Sequence, residues 1–243
     1  MRLPPADLPY LREQLAELRA LLQERWETSP IAHESTDTPG LLGDAAFQLF
    51  DMLDMATRDN ESLDVRATEI TTLGEYGMHL LAELANLAAR LDVPKLQAQI
   101  DRLHLPLALW IARHGGEIRD LEPAVNALAQ FANVASEPHT MSSLYTHCCE
   151  LIEAASPACE EKNAPGHVPW RLLLVNRAIV ATRSHNPELM VAAFDAIVEQ
   201  LPSEAGSFFA EGMEQMSLID YPDHVRELVQ RYYIDCARPR RLH

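Results

Sequence analysis

Residues 64–91 read DVRATEITTLGEYGMHLLAELANLAARL. Small or apolar residues recur in this stretch at steps of three and four, at Ile70, Leu73, Gly77, Leu80, Leu84, Leu87 and Leu91. An α-helix turns once every 3.6 residues, so this spacing places them on one helical face that must be buried against another helix. The stretch therefore predicts a helix of nearly thirty residues, about 40 Å long at a rise of 1.5 Å per residue.

The same rhythm covers the rest of the chain, and no part of it between Leu8 and Cys236 has the alternation of a strand. The first helix carries a leucine stripe at Leu8, Leu11, Leu15, Leu18 and Leu22. We predict an all-α fold of about ten helices, over residues 9–26, 40–58, 64–91, 94–113, 121–135, 137–155, 170–183, 187–201, 203–217 and 222–236. Their short joints favour antiparallel neighbours, and Pro106 is expected to kink the fourth helix.

The loop over 156–169 is the best candidate for a boundary, because it contains three prolines and a glycine. We predict a helical bundle over 1–155, a linker over 156–169 and a solenoid-like layer of helical hairpins over 170–243. A single domain over 1–243 is the alternative, with the loop as a long connection. The helix that begins at Trp170 is apolar over most of its circumference and is expected to be central in the C-terminal half.

Charge and composition exclude several classes of partner. The formal net charge is −16, and both halves of the chain are acidic, which disfavours binding to nucleic acid or to an anionic membrane surface. No apolar run is long enough for a transmembrane helix, and charged residues interrupt any signal-peptide pattern near the N-terminus. With four cysteines and no Cys-x-x-Cys pair, the chain is expected in the reducing cytoplasm.

The motifs that mark common enzymes are absent from the sequence. It contains no glycine-rich phosphate loop, no His-Glu-x-x-His zinc motif and no Gly-x-Ser-x-Gly nucleophile turn. We therefore expect a non-catalytic scaffold or regulatory protein without a cofactor. The alternative is an all-α metal-binding protein or metal-dependent enzyme with a site near His139–Cys159, formed by His139, His147, Cys148 and Glu150. His147 and Glu150 lie three residues apart, so successive helical turns could present both to one ion.

Aromatic residues are scarce and concentrate after the second long loop, which points to an interaction surface there. The candidate residues are Trp170, Phe208, Tyr221, Tyr232 and Tyr233. Adjacent helical residues cannot share a stripe, so one of Tyr232 and Tyr233 is expected at the surface. The partner is expected to be a protein. It could also be a second copy, with the N-terminal leucine stripe forming a coiled coil.

Residues 190–216 show a repeat-like spacing of aromatic, proline and glycine positions. Phe194 is followed eight residues later by Pro202, and Gly212 follows ten residues beyond, with Phe208 one turn before it. This segment resembles a tetratricopeptide repeat, in which an aromatic residue and a terminal proline mark the second helix. It departs from that pattern at Glu211, where the family has a leucine. The resemblance implies packed helical hairpins and a concave groove that binds a peptide.

Overall fold

The computed structural model describes residues 3–30, 38–58, 62–161 and 167–237. Within these ranges the chain forms eleven α-helices, one short 3-10 helix over Pro157–Glu160 and no β-strand, which confirms the predicted all-α fold. The α-helices are α1 Leu8–Glu27, α2 Pro39–Arg58, α3 Leu63–Arg90, α4 Pro94–Asp101, α5 His104–Arg113, α6 Glu122–Val134, α7 Pro138–Ala154, α8 His167–Ser184, α9 Pro187–Gln200, α10 Ala205–Leu218 and α11 Asp223–Ala237.

The predicted helix over 94–113 is in fact two helices, α4 and α5, separated at residues 102–103. Pro106 is the physical reason, because it has no N–H to donate to the carbonyl of Arg102 four residues earlier and its ring would clash with that carbonyl. The chain breaks at this point instead of kinking.

The described residues fall into two compact units. The N-terminal unit comprises residues 3–134 and 150–170, and the C-terminal unit comprises 135–149 and 171–237, each without the ranges that the structure leaves undescribed. Helices α7 and α8 contribute residues to both units. The boundary predicted over 156–169 stays a prediction, and its residues 162–166 lie outside the described ranges.

The long helix α3 is the centre of the N-terminal unit, where it contacts α2, α4 and α5. Its predicted stripe is largely buried: Ile70, Leu80, Leu84 and Leu87 are at most 4% exposed. Gly74 lets α5 approach closely, because a Cβ atom there would lie 2.6 Å from the Cδ1 atom of Ile111.

The leucine stripe of α1 is also buried inside the N-terminal unit. All five of its leucines are between 0 and 6% exposed, and α1 contacts α2, α4 and α5. The expectation that this stripe pairs with a second chain as a coiled coil is therefore wrong, because helices of the same chain already cover it.

In the C-terminal unit, α11 packs against both α9 and α10. An aromatic cluster lies between these helices, with the Phe194 ring centroid 5.1 Å from those of Phe209 and Tyr232. Asn186 begins α9 as its predicted N-cap, since its side-chain Oδ1 accepts a hydrogen bond from the N–H of Glu188 at 3.0 Å.

Candidate functional site

Helix α8 is apolar on two of its faces, and only one of them is covered. Buried side chains on the covered face are Leu173, Leu174, Ala178, Val180 and Ala181. On the other face lies a row that we call the α8 stripe, formed by Leu172, Val175 and Ile179 at steps of three and four. Leu172 is 39% exposed and Ile179 is 41% exposed. Part of the broad apolar surface of this helix is thus open to solvent.

Val175 and Ile179 of the α8 stripe line one wall of a groove whose other wall is α10, and Leu172 lies outside the groove lining, one turn before Val175. The groove, which we call the α8–α10 groove, has a volume of about 190 Å³, and Phe208, Gly212 and Met216 line its α10 wall. Binding sites for drug-sized molecules occupy about 300–1,000 Å³. The α8–α10 groove is smaller than that, and its size suits one or two apolar side chains of a larger partner.

Aromatic contacts hold the floor of the groove in place. Phe194 and Phe209 are each 1% exposed, and both line the groove from below. Phe208 is half-buried, and its ring centroid lies 5.1 Å from that of Phe209 and 6.3 Å from that of Phe194, both in edge-to-face contact. Such pairs favour one geometry, so the exposed edge of Phe208 is a preformed contact surface.

The α10 wall of the groove is acidic. Glu211 and Gln215 line it, Glu214 is exposed on the same helix, and α10 contains no Lys or Arg. Arg183 lies on the α8 wall and donates a hydrogen bond to the backbone carbonyl of Ala135.

The other arginines of α8 bind groups within the C-terminal unit. Arg171 pairs with Glu204, with Nε and Oε2 3.4 Å apart. Arg177 donates to the carbonyl of Ala192 at 3.0 Å and lies over the ring of Tyr145.

The structure brings two of the five predicted aromatic surface residues, Phe208 and Tyr221, to the α8–α10 groove. Tyr233 is 39% exposed on α11, whereas Tyr232 is only 9% exposed, so Tyr233 is the member of this adjacent pair that lies at the surface. Trp170 is 4% exposed and therefore offers almost no surface to a partner.

The hydroxyl of Tyr232 donates a hydrogen bond to a carboxylate oxygen of Asp195. Burial, together with this bond and the negative charge of Asp195, raises the pKa of Tyr232 to about 12. Tyr232 thus supports the floor from beneath, with its ring stacked on Phe209 at 5.3 Å.

The exposed residues of the α8 stripe were not identified from the sequence as candidate site residues. The available signal was a helix that is apolar all round, and such a pattern is typical of a fully buried helix. Local sequence cannot say which part of that surface neighbouring helices leave uncovered.

The alternative metal site is not assembled. Among the described residues, no three His, Cys, Asp or Glu side chains are grouped so that they could hold a metal ion. His139 is exposed, whereas Cys148 is fully buried, and burial raises the pKa of its thiol and so disfavours the thiolate that binds metal. The Glu150 carboxylate accepts two hydrogen bonds from Arg113, at 2.7 and 3.1 Å.

A second cleft, lined by apolar and charged side chains, lies in the N-terminal unit between α3, α5 and the segment 117–123, with a volume of about 440 Å³. An ion pair spans it, with a nitrogen of Arg119 3.0 Å from an oxygen of Glu75. Both side chains are about half exposed, which is typical of surface ion pairs that contribute little free energy.

Comparison with known proteins gives no information on function. No protein-family model matches the chain, and no curated protein or solved structure is significantly similar to it. No helix in the described part of the chain combines the length and the apolar character needed to cross a bilayer.

Proposed function

We propose that this chain is a non-catalytic, cytoplasmic helical scaffold or regulatory protein that binds a segment of a partner protein in its α8–α10 groove. The observation that carries the proposal is the exposed Ile179 of the α8 stripe, which lines the groove with Val175 above an apolar floor held by aromatic contacts. Apolar surface that is exposed beside a preformed pocket is typical of protein-binding sites.

The free energy available at the groove is adequate for a specific contact. Complete burial of a Leu or Ile side chain contributes about 1.5–3 kcal/mol. Ile179 in the groove and Leu172 just outside it are each about two-fifths exposed, so a partner that covers both gains about 1–2 kcal/mol in total. The apolar side chain that the partner inserts between α8 and Phe208 contributes a similar amount or more.

The tetratricopeptide-like spacing supports the same proposal. Two of the positions that carry the resemblance, Phe208 and Gly212, line the α8–α10 groove. A third, Phe194, contributes to its floor. In the family that this segment resembles, peptides bind in a groove between packed helical hairpins.

Two isoleucines of the C-terminal unit provide a matched test. Ile179 lines the groove and is 41% exposed, whereas Ile234 on α11 is 40% exposed and is not among the groove residues. The tagged full chain, Ile179→Lys and Ile234→Lys are each used to recover partners from the cells that produce the protein. Candidate partners are then purified and their affinities measured by calorimetry.

We expect a partner that binds the parent chain and Ile234→Lys with similar affinity but binds Ile179→Lys at least ten times more weakly. Tenfold corresponds to about 1.4 kcal/mol, which the loss of one buried anchor contact readily exceeds. If every purified partner binds both lysine variants equally, the groove is not the binding site and the proposal is wrong.

A further inference from the structure

We propose that the α8–α10 groove binds an amphipathic helix with a basic polar face. This inference rests on the proposed function and specifies the chemistry of the partner. Its evidence is the spacing of the apolar residues along α8, together with the Glu211 carboxylate on the α10 wall and the acidic balance of the C-terminal unit.

The spacing of the α8 stripe favours a helical partner. Leu172, Val175 and Ile179 span two helical turns, about 10 Å at 1.5 Å per residue. Rows of side chains at steps of three and four form the ridges that interdigitate with those of another helix. A partner helix with apolar residues at matching steps would place its anchors along this row and into the space beside Phe208.

Glu211 and the net charge of the surrounding unit favour a basic polar face. Arg183 also lines the groove, but its guanidinium donates to the backbone carbonyl of Ala135. Glu211 on the α10 wall, and Glu214 on the same helix but outside the groove lining, have no ion-pair partner within the part of the chain that the structure describes. The C-terminal unit as a whole carries eleven Asp or Glu and five Arg over residues 135–149 and 171–237. A Lys or Arg beside the apolar anchor of the partner would pair with Glu211. The negative electrostatic potential of the C-terminal unit would also increase the association rate of a basic partner.

The same charges disfavour a second copy of this chain as the occupant. Two copies would bring together surfaces of the same sign, each belonging to a chain of net charge −16. Like charges placed face to face oppose association. We therefore expect the purified protein to remain monomeric at high micromolar concentration, as measured by sedimentation.

Three synthetic peptides of about 14 residues test the inference directly. They share one amphipathic leucine pattern and differ only in the polar face, which is lysine, glutamine or glutamate. Each is labelled with fluorescein, and its binding to the full chain is followed by fluorescence anisotropy. We expect the leucine–lysine peptide to bind at least ten times more tightly than the leucine–glutamine peptide, and the leucine–glutamate peptide to bind most weakly.

Charge reversal at two exposed glutamates separates a contact in the groove from general attraction to an acidic protein. Glu211→Lys is expected to lower the affinity for the leucine–lysine peptide at least fivefold. Glu199→Lys on α9 changes the net charge by the same amount, at an exposed position outside the groove. It is expected to lower the affinity for the same peptide less than twofold. Circular dichroism confirms that both variants keep the parent helix content.

The possible failures have different meanings. If the leucine–glutamine peptide binds as tightly as the leucine–lysine peptide and Ile179→Lys removes both, the groove binds helices without selecting charge, and only this inference is wrong. If Glu211→Lys and Glu199→Lys weaken binding equally, or no peptide binds, the inference is also overturned. A dimer that Ile179→Lys dissociates and Ile234→Lys does not would assign the groove to a second copy.

Discussion

The close approach of α3 and α5 at Gly74 leads to a quantitative prediction. A methyl group at residue 74 would lie 2.6 Å from Cδ1 and 2.7 Å from Cγ1 of Ile111, both nearer than carbon atoms can pack. Overpacking of this kind costs about 1–3 kcal/mol, and two close atoms place this site in the upper part of that range. Replacing glycine within a helix by alanine contributes about 1 kcal/mol of stability. Gly74→Ala is therefore expected to lower the free energy of unfolding by about 1–2 kcal/mol.

Guanidinium unfolding followed by tryptophan fluorescence measures this change. All three tryptophans, Trp26, Trp110 and Trp170, belong to the N-terminal unit, and Trp110 directly precedes Ile111. Gly206 in α10 is the control, because a Cβ atom there meets nothing within 4 Å. Gly206→Ala is expected to leave the free energy of unfolding unchanged or raise it by up to about 1 kcal/mol, as measured by unfolding monitored with circular dichroism.

A double-mutant cycle tests the cause. Ile111→Ala alone is expected to cost about 2–5 kcal/mol, because it leaves a cavity beside α3. In that background the two close atoms are gone, so Gly74→Ala is expected to stabilise the protein instead of destabilising it. A Gly74→Ala variant as stable as the parent chain, or one whose loss of stability is the same with and without the Ile111 side chain, would contradict a steric clash at this position.

Three further predictions concern the backbone, a buried hydroxyl and the thiols. Asp92 has a φ of +54°, a left-handed conformation that glycine adopts without strain, so Asp92→Gly is expected to be about 1 kcal/mol more stable than Asp92→Ala in chemical denaturation. The raised pKa of Tyr232 means that the unfolded chain loses this proton near pH 10 and the folded chain only near pH 12, so stability should fall across that window as the pH rises. The stability of Tyr232→Phe should fall less over the same pH range. If the variant and the parent chain lose the same stability, Tyr232 is not the group responsible. In the native protein, maleimide should modify the half-buried Cys149 and Cys236 well before the fully buried Cys148. Mass spectrometry of samples taken over time measures the rate at each thiol. Labelling of Cys148 as fast as that of Cys149 would show that Cys148 is accessible to solvent.

Most helices were predicted within a few residues of their observed bounds, because local chemistry marks their ends. Asn186 and Pro187 begin α9, and the apolar rhythm of residues 64–91 corresponds to α3. The break between α4 and α5 was expected only as a kink. Pro106 signals a disrupted helix, but whether the chain bends or separates depends on what surrounds it.

The candidate site was only partly predictable. Phe208 and Tyr221 were identified as aromatic interaction residues, and both line the α8–α10 groove. Trp170 was identified on the same grounds, yet it is buried, because aromatic type does not determine exposure. The proposed metal ligands lie near one another in sequence, but nearness in sequence does not determine where side chains point, and the Glu150 carboxylate accepts hydrogen bonds from Arg113.

By itself, the sequence determined that the chain folds as helices, where nearly all of them begin and end, and most of the residues that form the buried stripes of α1 and α3. These features depend on local backbone preferences and on the period of the apolar residues, both of which act over a few positions. Only the tertiary structure decided that one face of α8 stays open and that α10 stands opposite it with an acidic wall. Exposure is a property of how several helices pack, so no single stretch of sequence contains it.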